Sequence, residues 1–389
     1  MTAVPAAVSL VLALTVGWLV PAAVMRALPS VVEPGALSRP NFRGRQVAPS
    51  LGMAWVIWVI ALAAVQAVCD LLLSITGGTA GLGEVMERFW TTPLALPFFV
   101  VPFMLVAGCA VLGLADDVFG EAGAAGGTGA PRGFRGHLAA LGRWRVTTGM
   151  LKMLGIGALA FFYGVSAAEG VLGRSALPEG WSGSAGALVG TAVLAALVIA
   201  LSANLLNLLD VRPGRALKAY MILVPLPAVM LALAATASYN EQIAGFAAEA
   251  GALALTTWEG VATAAALLIV LLGPALGVWR FDLGERAMLG DMGSNVMGAI
   301  VGYLLTAVLP LGGLAAAAAF LLGLNLLSEK VSFSAVIDRT RPLRWLDRLG
   351  RGRVDGAQSS VSAPAGGETS SPPVTPVRYH SDEGDDGED

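Results

Sequence analysis

The chain is poor in charge, in histidine and in cysteine, and each scarcity excludes something. Only 13% of its 389 residues are Asp, Glu, Lys or Arg, against about a quarter in a soluble domain. An ordinary water-soluble globule is therefore excluded, and nucleic acid is not an expected partner. There are two histidines, His137 in a Gly-rich loop and His380 in the tail. The two cysteines, Cys69 and Cys109, both sit inside apolar runs. Ordinary packing explains them, and a disulfide or paired metal ligation is the other reading. No Gly-Lys-Ser/Thr sequence ends the Gly-rich stretch 120–136, so that stretch reads as a flexible connection and not as a phosphate loop. The first apolar run lacks a basic leader and a clear small-residue cleavage site, and reads as a retained span. No internal repeat stands out.

What the chain has in abundance is apolar sequence. It is 56% hydrophobic, with a mean hydropathy of +0.73. A helix needs roughly 20 apolar residues to cross the hydrocarbon layer. Nine runs qualify: Ala3–Met25, Leu51–Leu73, Leu94–Ala115, Gly149–Ala168, Ala185–Ala203, Leu217–Ala237, Gly260–Trp279, Asn295–Leu309 and Leu314–Ser328. The eighth is short, so it is either tilted differently or partly re-entrant. The expected fold is an all-α polytopic membrane protein of about nine transmembrane helices.

The basic residues test that count. With nine spans, 22 of the 24 Lys and Arg fall on one face, and only Arg88 and Arg174 fall on the other. The positive-inside rule makes the rich face cytoplasmic. The N-terminus is then outside and the C-terminus inside. Residues 1–330 form the membrane domain and 331–353 a basic cytoplasmic segment. The stretch 354–389 is an acidic tail whose Ser, Pro, Gly and acid content predicts disorder.

Three polar motifs sit at the ends of apolar runs, on successive cytoplasmic segments. They are Asp116-Asp117, then Asn204, Asn207 and Asp210, then Gly290-Asp291 with Gly293-Ser294. Carboxylates at the mouth of a span are costly to desolvate. Adjacent carboxylates repel, and a divalent cation relieves that repulsion. Mg²⁺ favours a few carboxylates, water and phosphate oxygens. Asp291 lies between glycines where a helix starts, and amides at a helix N-terminus favour anions. Asn204 and Asn207 share a helical face, with Asp210 nearby. Taken singly, each motif also reads as an interfacial cap.

The set resembles the polyprenyl-phosphate N-acetylhexosamine-1-phosphate transferase superfamily. The carriers are Arg39-Pro-Asn-Phe-Arg-Gly-Arg-Gln with Pro49 and Gly52, Leu112-Gly-Leu-Ala-Asp-Asp117, Asn204-Leu-Leu-Asn-Leu-Leu-Asp210 and Leu289-Gly-Asp-Met-Gly-Ser294. The resemblance implies a bacterial plasma-membrane enzyme with a cytoplasmic site. Its partners would be polyprenyl (undecaprenyl) phosphate and a UDP-sugar, its cofactor Mg²⁺ and its product UMP; a homodimer is compatible with it. It also implies roles. Asp116 and Asp117 place or deprotonate the lipid phosphate beside the metal, and Asp291 is the leading metal ligand. Asn207 and Asp210 line the nucleotide-sugar site, Asn204 and Ser294 are further substrate-binding residues, and Lys152 meets the diphosphate, with snorkelling as its other reading. The chain departs from the family after Asp210, where Pro213 replaces an acidic position and Arg212, Arg215 and Lys218 enter. Those bases read either as phosphate ligands, Arg215 among them, or as headgroup anchors. The family's histidine-rich motif and its last span are missing. Arg339, Arg341, Arg344 and Arg348 stand in the last cytoplasmic segment instead. A non-catalytic relative that binds the lipid phosphate or a partner is the alternative.

Overall fold

The computed structural model describes residues 3–28, 33, 38–76, 82–120, 147–176, 184–250 and 255–351. The expectations for the Gly-rich loop with His137 and for the acidic tail with His380 lie outside the described residues. Residues 1–351 form one compact unit.

The unit is a bundle of helices. In chain order they are α1 (Val4–Ala27), α2 (Met53–Thr76), α3 (Leu82–Thr91), α4 (Phe103–Phe119), α5 (Thr148–Gly173), α6 (Ala185–Leu209), α7 (Arg215–Leu223), α8 (Pro225–Ala250), α9 (Thr257–Leu283), α10 (Gly290–Val308), α11 (Leu311–Ser328), α12 (Phe333–Arg339) and α13 (Arg341–Arg348). Three short strands, β1 (Arg39–Pro40), β2 (Gln46–Pro49) and β3 (Ala287–Met288), make a small sheet. Among the described residues, eight helical segments are long and apolar enough to cross a membrane. The chain is thus an all-α, multi-pass membrane protein. Cys69 and Cys109 are buried and free, which removes the disulfide reading.

The count differs from nine because of α10, which corresponds to the eighth expected run. Its 19 residues begin with Gly-Asp-Met-Gly-Ser-Asn, and these polar groups lower its hydropathy. At 1.5 Å per residue it is still about 28 Å long. It tolerates that polarity because it is the central helix, with 14 of its 19 residues buried, packed chiefly on α6 and α4. Close approach is allowed by small residues. A Cβ on Gly302 would lie 2.5 Å from the Ile199 Cα of α6, so the two backbones meet there without side chains between them.

The two bases on the sparse end of the bundle both have local tasks. Arg174 caps α10 by donating to the carbonyls of Thr306 and Leu309, at 2.7 and 3.5 Å, which a helix C-terminus leaves without partners. Arg88 lies 3.0 Å from Glu259. Glu259 is fully buried and also closes a capping box with Thr256 at the start of α9. Substituting Arg88→Met should strand that carboxylate with Thr256 as its remaining partner. The expected cost is about 2 kcal/mol, read as a lower melting temperature in detergent. Adding Glu259→Gln should recover most of it, and a single variant that melts like wild type would refute the assignment.

Candidate functional site

The site is assembled at the end of the bundle where α4 and α6 finish and α5 and α10 start. The segment after α1 makes a hairpin in which the Asn41 side chain accepts from the amides of Arg43 and Arg45. Gly44 takes a left-handed φ of 77° there, which a glycine adopts without strain. The returning strand β2 pairs in parallel with β3, and the amides of Leu51 and Gly52 continue onto the carbonyls of Met288 and Leu289. This ladder fixes the entry to α10 against a segment some 240 residues away in sequence, and a Cβ on Gly52 would sit 2.5 Å from the Gly293 amide.

Lys152, near the start of α5, reaches two carboxylates at once. Its Nζ lies 2.6 Å from Asp116 Oδ2 and 2.5 Å from Asp291 Oδ2. The other Asp291 oxygen accepts from Asn207 Nδ2 at 2.6 Å, and the same amide reaches Ser294 Oγ at 3.1 Å. Ser294 in turn donates to the Gly290 carbonyl, and Asn295 donates to the Asp291 carbonyl. Three helices, α4, α5 and α10, therefore meet at one ammonium group, and α6 joins them through Asp291. A lysine this enclosed is held by charge rather than by snorkelling.

Asp117 points the other way. It is buried, its Oδ2 accepts from the Met292 amide at 3.0 Å, and its Oδ1 lies 3.5 Å from Arg39 Nη1. Gly290 has φ 72°, and a Cβ there would meet Asp117 Oδ2 at 2.8 Å. Glycine is thus needed both for the backbone and for the carboxylate's approach. Asp210 caps α6 and receives the Gly290 amide. Burial raises its carboxyl well above the usual range, and the nearby Asp282, Asp291 and Asp117 add to the shift. The amides that open α10, expected to attract an anionic ligand, are in part taken by carboxylates of the protein itself.

Seven of the expected site residues therefore share one cluster: Asp116, Asp117, Lys152, Asn207, Asp210, Asp291 and Ser294. Two do not. Asn204 donates to Asn325 Oδ1 of α11 at 2.6 Å, because one turn deeper in the bundle this side of α6 meets α11. Arg215 is buried and its Nε lies 2.6 Å from Asp347 Oδ1. Its neighbours Arg212 and Lys218 are also engaged, with Asp338 and with the Asp347 carbonyl. These bases fasten α12 and α13 and are not turned to the carboxylate cluster. Arg39 lies in the first of the sequence motifs with nothing local to mark it as a site residue, and only the fold brings it to Asp117. Asp347 carried a readable signal, since it is the one acid between Arg339 and Arg353.

A cavity of about 310 Å³ opens beside the cluster, lined among others by Asn41, Phe42, Asp210, Arg212, Asp282 and Glu285. Among the described residues no group of three His, Cys, Asp or Glu side chains is arranged to hold a metal ion. The reason is visible in the contacts: Asp117 is spent on backbone and Arg39, and Lys152 lies between the other two. The pair Asp116 and Asp291 still fits Mg²⁺, which commonly takes one or two carboxylates and completes its shell with water and phosphate oxygens. The metal role expected of Asp117 does not follow from this geometry. Comparison with protein-family models and with curated proteins returned no match.

Proposed function

We propose that the protein transfers a sugar-1-phosphate from a UDP-sugar to a polyprenyl phosphate on the cytoplasmic face of the bacterial plasma membrane. The observation that carries the reading is the meeting of Asp116, Lys152, Asn207 and Asp291 at one end of an apolar bundle. A lipid acceptor and a charged, water-soluble donor need such a place, where lipid, water and fixed charge adjoin. The order and spacing of the motifs resemble the transferase superfamily named above and supply the substrate class.

In this reading an oxygen of the lipid phosphate attacks the β-phosphorus of the UDP-sugar. The bond from that phosphorus to the bridging oxygen breaks, and UMP leaves with the oxygen. Mg²⁺ bound at Asp116 and Asp291 would neutralise charge on the diphosphate. Lys152, displaced by that ion from between the two carboxylates, would supply a second positive charge to the same diphosphate oxygens, and Asn207 keeps the Asp291 carboxylate oriented. Asp117, held by Arg39 and the Met292 amide, guards the approach of the lipid phosphate. Asp210 and the cavity beside it take the nucleoside end of the donor.

A second reading has its own support. Every carboxylate of the cluster already has an internal partner, as in a relative that keeps the fold, binds polyprenyl phosphate and lacks turnover. Release of UMP from a panel of UDP-sugars, with undecaprenyl phosphate and purified protein, separates the two.

Sidedness is part of the proposal and rests on the partition of bases. A cysteine at Gly126 should be shielded from impermeant reagents in intact cells, whereas one at Gly180 should label. Labelling of Gly126 from outside would reverse the orientation.

A further inference from the structure

The bases around α7 are consumed inside the protein, and what they hold is a helix with an unusual outer face. Asp347 of α13 receives Arg215 Nε at 2.6 Å and Arg351 Nη2 at 2.7 Å, and its carbonyl accepts from Lys218 Nζ at 2.7 Å. Asp338 of α12 is paired with Arg212 at 2.9 Å. Pairing with Arg212 holds the Asp338 carboxyl below its ordinary range. Both acids of this segment are thereby paired with bases at or just before α7, and Asp347 is buried.

These contacts also fix the depth of α13. Arg215 and Lys218 belong to the first turn of the apolar segment Arg215–Ala244. A Cβ on Gly350, just past α13, would lie 3.0 Å from Leu283 and 3.8 Å from Trp279, at the end of the segment Thr257–Leu283. The helix thus lies level with the ends of two spans, in the layer that headgroups occupy. Among its exposed residues, Arg341, Trp345 and Arg348 share one face at i, i+4 and i+7. All three are exposed, Trp345 at 66% and the adjoining Leu349 at 49%. Tryptophan flanked by arginine is the composition suited to a membrane–water interface with anionic lipid.

We propose that α13 is an interfacial anchor that seats Trp345 among anionic lipid headgroups, with Arg341 and Arg348 against their phosphates. The inference does not depend on the catalytic reading. It is tested with the full chain in nanodiscs of phosphatidylcholine alone or mixed with phosphatidylglycerol, each containing a lipid brominated high on its acyl chain. The chain has nine tryptophans, so the emission of Trp345 is taken as the difference between wild type and Trp345→Phe. That difference should be quenched in the anionic discs. Because protein contacts hold the helix at that level, quenching should be weakened and not abolished in neutral discs, in the double variant Arg341→Gln with Arg348→Gln, and in 1 M salt, where the screening length is about 3 Å. Equal quenching in neutral and anionic discs would overturn the proposal. So would a Trp345 emission open to aqueous iodide in both, the outcome expected if this face serves a protein partner.

Discussion

Replacing Asp291 by Asn should leave the protein folded and lower Mg²⁺-dependent UMP release by about a hundredfold or more, the usual consequence of losing one key electrostatic contact at a reacting phosphate. Asp291 is the point where the cluster closes. One oxygen takes Asn207 and the other takes Lys152. An amide of the same shape keeps one acceptor but presents a donor to a donor on the other side. It also removes the negative charge that Mg²⁺ requires. Folding should survive because Lys152 retains Asp116 and Asp117 still caps the start of α10. The checks are UMP release with and without Mg²⁺, and the melting temperature in detergent. A variant that turns over like wild type would remove Asp291 from the reaction. A wild-type protein that binds polyprenyl phosphate yet releases no UMP from any donor would favour the non-catalytic reading.

The convergence of the three motifs was legible in the sequence because each sits at the end of an apolar run, and the partition of bases ties those ends to one face. The helical class was legible for the same reason, since apolar runs of this length have few other solutions. The central position of α10 was harder to read. Its run, Asn295–Leu309, is short and follows Asp291 and Ser294, which leaves a differently tilted or partly re-entrant span as the reading. In the fold these groups are satisfied by Lys152 of α5, Asn207 of α6 and backbone carbonyls of α10 itself, which lets a polar helix start lie inside the bundle. Partner choice was not legible. Lys152 meets a carboxylate 139 positions away, and Arg215 meets one 132 positions away. Both are cations at helix starts, equally suited to phosphate, headgroup or carboxylate. Which partner each takes depends on how the helices pack, and local sequence does not carry that. Asn204 illustrates the same limit from the other side. Its spacing places it with Asn207, but the neighbour on its side is α11.

Replacing Lys152 by Met should change the protein's response to Mg²⁺ as much as its turnover. The substitution keeps the length and apolar stem and removes the ammonium that lies between Asp116 and Asp291. Both carboxylates are partly buried, with side chains 15% and 29% exposed, so their repulsion is only partly screened. Breaking such an ion pair by removing one partner costs about 3 kcal/mol, and the variant should melt clearly below wild type in EDTA. A divalent cation can then take the ammonium's place. At a concentration near 100 times its dissociation constant it returns about 2.7 kcal/mol, close to what was lost. The wild type, which carries its own counter-ion, should gain far less from Mg²⁺. Turnover should fall in the variant even where Mg²⁺ restores its stability, because the second positive charge on the diphosphate is still missing. The assignment fails if the variant melts like wild type in EDTA. It fails equally if Mg²⁺ raises both melting temperatures by the same amount, since the ammonium and the cation would then not share one place between Asp116 and Asp291.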